Sequence, residues 1–126
     1  MQIKIATKST GEVPAEIIES LNPKTAKAVI DALPIRGRGS RWGDEIYFSI
    51  GVSAQSENAK DVVEVGDVAY WPPGQALCIF FGPTPASRGQ EPRAASPVNV
   101  FGKVRGDASM FRKVRSGEEV VIIKAE

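Results

Sequence analysis

The chain contains no histidine. That absence excludes Ser-His-Asp and Cys-His catalysis and every imidazole-ligated metal site. Its single cysteine, Cys78, forms neither an intramolecular disulfide nor a thiolate zinc site. Cys78 lies inside the apolar run Ala76 to Phe81, where a free thiol behaves as a small buried hydrophobe, so it is expected to be reduced and inert. No apolar run approaches the ~20 residues of a membrane helix. The opening MQIKIATKST alternates instead of forming an apolar block, so the expectation is a cytoplasmic protein with no membrane partner. Neither sign of charge dominates: 16 basic against 15 acidic side chains leave a net charge of +1, and no global field points to nucleic acid. With no P-loop and no GxGxxG pattern, neither cofactor nor metal is expected.

What is present is ordinary globular composition, 42% hydrophobic and 25% charged, at a length that fits a single domain over residues 1–126. The organising stretch is Gly66 to Pro85, GDVAYWPPGQALCIFFGPTP. Two apolar runs, Val68 to Trp71 and Ala76 to Phe81, flank Pro72-Pro73-Gly74, which proline geometry makes a turn. The second run has no polar residue at alternate positions, the pattern of a central strand buried on both faces.

Upstream, Gln2 to Thr7 alternates as a half-buried strand, and Val13, Ala15 and Ile17 alternate as the second arm of a hairpin. Pro14 demotes that arm to an edge or a bulge. Asn22-Pro23 starts a helix whose Ala26, Val29, Ile30 and Leu33 share one face, and Pro34 ends it. A glycine-kinked strand over Ile35 to Trp42 precedes a strand at Glu45 to Val52, and Ser53 to Asp61 reads as a loop. The four prolines between Pro83 and Pro97 predict a long irregular loop. Val98 to Val104 returns to strand pattern, Asp107 caps a short helix through Val114, and Glu118 to Lys124 closes the chain as a strand. The tally of about eight short strands and two helices predicts a closed β-barrel, with the helices capping its ends.

Two stretches carry a family likeness. Gly11 to Ala26, GEVPAEIIESLNPKTA, resembles the cyclophilin pattern G-R-V-x-F-E-L-F-x-x-x-V-P-K-T-A without a gap, matching at Gly11, Val13, Glu16, Pro23, Lys24, Thr25 and Ala26. Val100 to Val104 resembles the V-F-G-K-V of the same family. The motifs GDVAYWPPG and FFGPTP look like the small prokaryotic cyclophilin-like family of unknown function. The resemblance implies a cyclophilin-like barrel and, by analogy, cis/trans isomerisation of X-Pro bonds assisted by an arginine. Continuing the alignment, Arg41 with Trp42 resembles the H-R-V arginine segment, and the F-M-x-Q strand falls on Ile46, Tyr47 and Ser49. The family histidine falls at Val98 and the family tryptophan near Arg93, so much of the usual proline socket is replaced.

Three functions follow as expectations. The first is a module binding an extended peptide or small ligand at the barrel mouth, near Arg41, Trp42, Ile46, Tyr47, Ser49 and Phe80 or Phe81. Because adjacent strand residues face opposite ways, at most one of Phe80 and Phe81 lines such a pocket. The second is a weak peptidyl-prolyl isomerase using Arg41 as its donor; Arg41 also reads as an arginine ion-paired with Asp44 or Glu45. The third is nucleic-acid binding through Arg36, Arg38 and Arg41 and through the seven basic residues against two acids between Ala86 and Arg115. Those segments lack the interleaved aromatics of single-strand binders.

Overall fold

The computed structural model describes residues 1–125. Its strands are β1 (Gln2–Thr7), β2 (Gly11–Ile17), β3 (Ile35–Arg38), β4 (Ser40–Arg41), β5 (Glu45–Ser49), β6 (Lys60–Val62), β7 (Asp67–Trp71), β8 (Ala76–Phe80), β9 (Arg93–Val104) and β10 (Glu119–Lys124). The helix α1 spans Pro23–Ala32, and 3-10 turns occupy Pro72–Gly74 and Ala108–Lys113.

The expected closed barrel does not form. The strands make one open antiparallel sheet in the order β3-β10-β1-β2-β9-β7-β8-β5-β4, with β6 attached to β9. The reason lies at Gly39. β3 and β4 end the path yet are joined through Gly39 alone, so they run on in the same direction and cannot pair as a hairpin. Gly39 turns its own N–H to the Glu118 carbonyl and accepts from the Gly117 N–H. A Cβ on Gly37 would stand 2.6 Å from Cδ2 of Phe48, and one on Gly39 2.8 Å from Cγ2 of Ile46. Phe48 and Ile46 thus pack onto bare backbone from the core side.

The hairpin β1-β2 is in register from Gln2↔Glu16 to Thr7↔Gly11. Pro14 sits just beyond the β2-β9 ladder, which covers only Ala15 to Ile17. Its missing N–H therefore breaks no sheet bond, while its carbonyl accepts from Arg105 and Gly106. β8 is paired on both sides, to β5 and β7, and is buried throughout. Its Leu77 and Ile79 enter the main core with Ile5, Tyr70, Phe101, Phe111 and Ile122, whereas Cys78 and Phe80 join a second cluster with Val63, Ala69, Ala94, Val98 and Val100. One strand thereby supplies two apolar layers, as its unbroken run predicts.

α1 lays Ala26 and Val29 on the main core. Asn22 is not a side-chain cap; its Nδ2 donates to the Val100 carbonyl and its Oδ1 accepts from the Asn58 N–H, tying the helix start to the sheet. Asp107 does cap its turn, accepting from Ser109 N at 3.0 Å. The predicted loop over Pro83 to Pro97 is shorter than expected, because β9 begins at Arg93 and pairs there with β6. The ladder shift opposite Val68 and Ala69 leaves Phe101 as an extra residue in β9. This bulge flips the alternation, so Val98 and Val100 face the second cluster while Phe101 and Val104 face the main core.

Candidate functional site

Over the second cluster lies a cavity of about 220 Å³ lined by Trp42, Glu45, Tyr47, Trp71, Ala94, Ala95 and Val98. Strand alternation assembles it. Glu45 and Tyr47 are two apart on β5 and opposite Phe80 and Cys78 of β8, while Ala69 and Trp71 stand in register with Cys78 and Ala76 on the other side. Ile46 and Phe48, the intervening residues of β5, point into the main core. Trp71 is held by its Nε1–H, which donates to Ser96 Oγ at 2.7 Å. Its ring lies against Gly74, where a Cβ would stand 2.7 Å from Cζ3. The Pro-Pro-Gly turn thus seats the indole by leaving it room.

Glu45 is 5% exposed. Burial raises its carboxyl from the ordinary 4.5 to about 7, opposed in part by a hydrogen bond from the Cys78 thiol. Complete burial, reinforced by the Glu45 carboxyl, pushes the Cys78 thiol well above its usual range, so it is a proton-bearing buried group and not a nucleophile. Among the described residues, the only other buried carboxylate is that of Asp67. It has a cation, Lys103 Nζ at 3.1 Å, and accepts from Glu64 N. Glu45 has no such partner among the described residues; Asp44, not Glu45, pairs with Arg41.

Arg41 lies elsewhere. It is opposite Ile46 in the β4-β5 ladder, on the main-core side. Its guanidinium stands over the Phe81 ring at 5.0 Å. Nε donates to the Gly43 carbonyl, Nη1 to the carbonyls of Arg112 and Val114 at 3.1 and 3.0 Å, and Nη2 to Asp44 Oδ1 at 3.3 Å. Arg41 therefore latches the 3-10 turn Ala108–Lys113 to the start of β5. Of the other residues expected at a site, Trp42 and Tyr47 are brought together on the cavity wall. Ile46 is fully buried in the main core, Ser49 donates to the Gly74 carbonyl at the strand end, Phe80 is buried in the second cluster and Phe81 is covered by Arg41. Glu45, Trp71, Ala94 and Ala95 were not legible as site residues. The signal for Glu45 was an acid two residues before Tyr47 at the head of a strand of β-formers, a position that alternation assigns to the same face.

The cyclophilin-like family model matches residues 1–123. The chain belongs to the cyclophilin-like family. Among solved structures, this cyclophilin-like protein is similar to the hypothetical protein AF2241 from Archaeoglobus fulgidus, at 46% identity and a TM-score of 0.82 over 99% of this chain and 95% of that one. It is also similar in fold to McbB, solved in complex with tryptophan, at 18% identity and a TM-score of 0.77 over 98% of this chain and 45% of that one. No curated protein matches. Val98, where the resemblance to the cyclophilins would put their histidine, lies on the cavity wall. No helix among the described residues is long and apolar enough to cross a membrane.

Proposed function

We propose that this cyclophilin-like protein is a binding module for a small ligand with a ring or similar apolar body, held in the cavity between Trp42, Tyr47 and Trp71. The observation that carries this reading is the cavity itself: three aromatic side chains and three small or branched apolar ones around a single carboxyl group. Pockets of that make-up, mostly apolar with few polar groups, are the usual form of small-molecule sites. The volume decides the size of ligand. An engineered cavity of about 150 Å³ takes up benzene, so about 220 Å³ has room for one ring with a short substituent. McbB, which shares the fold, was solved with tryptophan bound, and an aromatic amino acid is of the same chemical kind.

The isomerase alternative draws less support. A prolyl isomerase needs a donor that strengthens its contact as the amide twists. The donors of Arg41 are spent on backbone carbonyls and Asp44, on the face of β4 opposite the cavity. Nucleic-acid binding draws less still, since Arg36, Arg93, Lys103 and Arg105 are ion-paired with Glu119, Asp61 and Glu91, Glu64 and Asp67, and Glu16.

The test is direct because both tryptophans of the chain line the cavity. Benzyl alcohol and indole, titrated into 15N-labelled protein, are expected to shift the indole N–H signals of Trp42 and Trp71. Loss of the Trp71 response with native dispersion in Trp71→Leu would localise the effect. Signals unmoved by millimolar concentrations of every ring compound tried would sink the reading.

A further inference from the structure

We propose that the cavity, given the small-ligand reading above, selects an organic cation: an arylalkylamine whose ring packs among Trp42, Tyr47 and Trp71 and whose ammonium group pairs with Glu45. The argument begins with the contrast between the two buried carboxylates. Asp67 follows the general rule that a buried charge is paired, whereas Glu45, equally buried, faces a cavity with no cation beside it. A carboxylate so placed either keeps a proton or acquires a cation from outside, and the cavity is the direction from which one can arrive. The walls favour the same ligand. Aromatic faces attract ammonium groups, and three aromatic residues surround the space. Neither lysine nor arginine contributes to the lining, and the Trp71 N–H is already given to Ser96. An anion would therefore meet the Glu45 carboxylate with little to offset it.

The ionisation of Glu45 sets a pH dependence. The groups around it are Tyr47 on its own strand, the raised Cys78 thiol and Phe80 on β8, Trp71 on β7, Trp42 before β5, and Ala94 and Val98 on β9. The charged side chains nearest along the chain, Asp44 and Arg41, pair with each other, and Arg93 pairs with Glu91 and Asp61. With its carboxyl raised to about 7, Glu45 is the group in the lining that changes charge between mildly acidic and mildly alkaline pH. The cation site is open at the alkaline end, where Glu45 is ionised.

Titrations of the intact protein with benzylammonium, benzyl alcohol and benzoate, followed by the two indole N–H signals, test this. At about pH 8 benzylammonium is expected to bind about tenfold more tightly than the alcohol, with benzoate weakest. Its affinity should fall about tenfold on going to about pH 6, in step with the ionised fraction of Glu45, although the amine itself stays protonated throughout. Glu45→Gln, nearly isosteric, should abolish both the preference for the amine and the pH dependence while still admitting the alcohol. Equal, pH-independent binding of amine and alcohol would overturn the cation assignment and leave the small-ligand reading standing; failure of all three to bind would remove both. A lysine side chain carries the same ammonium chemistry, so N-acetyl-lysinamide is titrated beside them. Tighter binding of that compound than of benzylammonium would overturn the assignment to a free arylalkylamine. The wild-type pH profile decides the matter even if the Gln variant folds poorly.

Discussion

Glu45 makes a prediction about stability that needs no ligand. Its carboxyl titrates at about 7 in the folded protein against 4.5 ordinarily, so between those values the folded state holds a proton that the unfolded chain has released. Folding stability therefore falls as pH rises from about 4.5 through about 7 and levels off above it, the reverse of the usual carboxylate. A shift of that size, at about 1.4 kcal/mol for each pH unit, corresponds to about 3 kcal/mol. Glu45→Gln removes the titration. Compared with wild type, the variant is expected to gain about 3 kcal/mol between about pH 4.5 and about pH 8, or roughly 10 °C in Tm for a chain of this size. The amide contributes a constant offset against Cys78, so the quantity to read is the change in the difference with pH. Urea denaturation of both proteins at several pH values measures it. The carboxylates held below their ordinary range, Glu57, Glu64, Glu91, Asp107 and Glu118, lose their stabilisation only below about pH 4.5 and are common to both proteins. A wild-type to variant difference that is flat from pH 4.5 to 8 would refute the reasoning, and with it the view that Glu45 is buried without a charged partner.

Arg41→Ala is expected to destabilise the fold by about 2 to 3 kcal/mol, since charged donors leave the carbonyls of Arg112 and Val114; a denaturation midpoint equal to wild type would contradict the latch. Activity on short X-Pro peptides in a coupled isomerisation assay should be absent or far below that of ordinary cyclophilins, and robust turnover abolished by Arg41→Ala in a folded variant would show that the arginine acts as a donor after all. Gly74→Ala places a Cβ 2.7 Å from the Trp71 ring and should cost about 1 to 3 kcal/mol, with a displaced Trp71 indole N–H signal as its signature. Cys78, 1% exposed, should react with thiol reagents only after denaturation; rapid labelling of the native protein would place it at an accessible surface.

Much of the local structure follows from the chain itself. The β1-β2 hairpin, the apolar face of α1, the two-sided burial of β8 and the burial of Cys78 depend on alternation, on 3.6-residue spacing and on proline geometry, all of which act over a few residues. The family likeness, carried by Gly11 to Ala26 and Val100 to Val104, was equally legible. Tertiary structure decided the rest. Whether the sheet closes depends on how its end strands β3 and β4, joined through Gly39 alone, find their neighbours β10 and β5, which no periodicity encodes. The fate of Arg41 was settled by carbonyls more than seventy residues away, those of Arg112 and Val114. The cavity was hidden for the same reason: Glu45, Trp71 and Val98 lie on three different strands, and only the pairing of β5, β8, β7 and β9 brings them around one space. Sequence marks which face a residue takes on its own strand, but which other faces it meets is set by the order and register of the sheet.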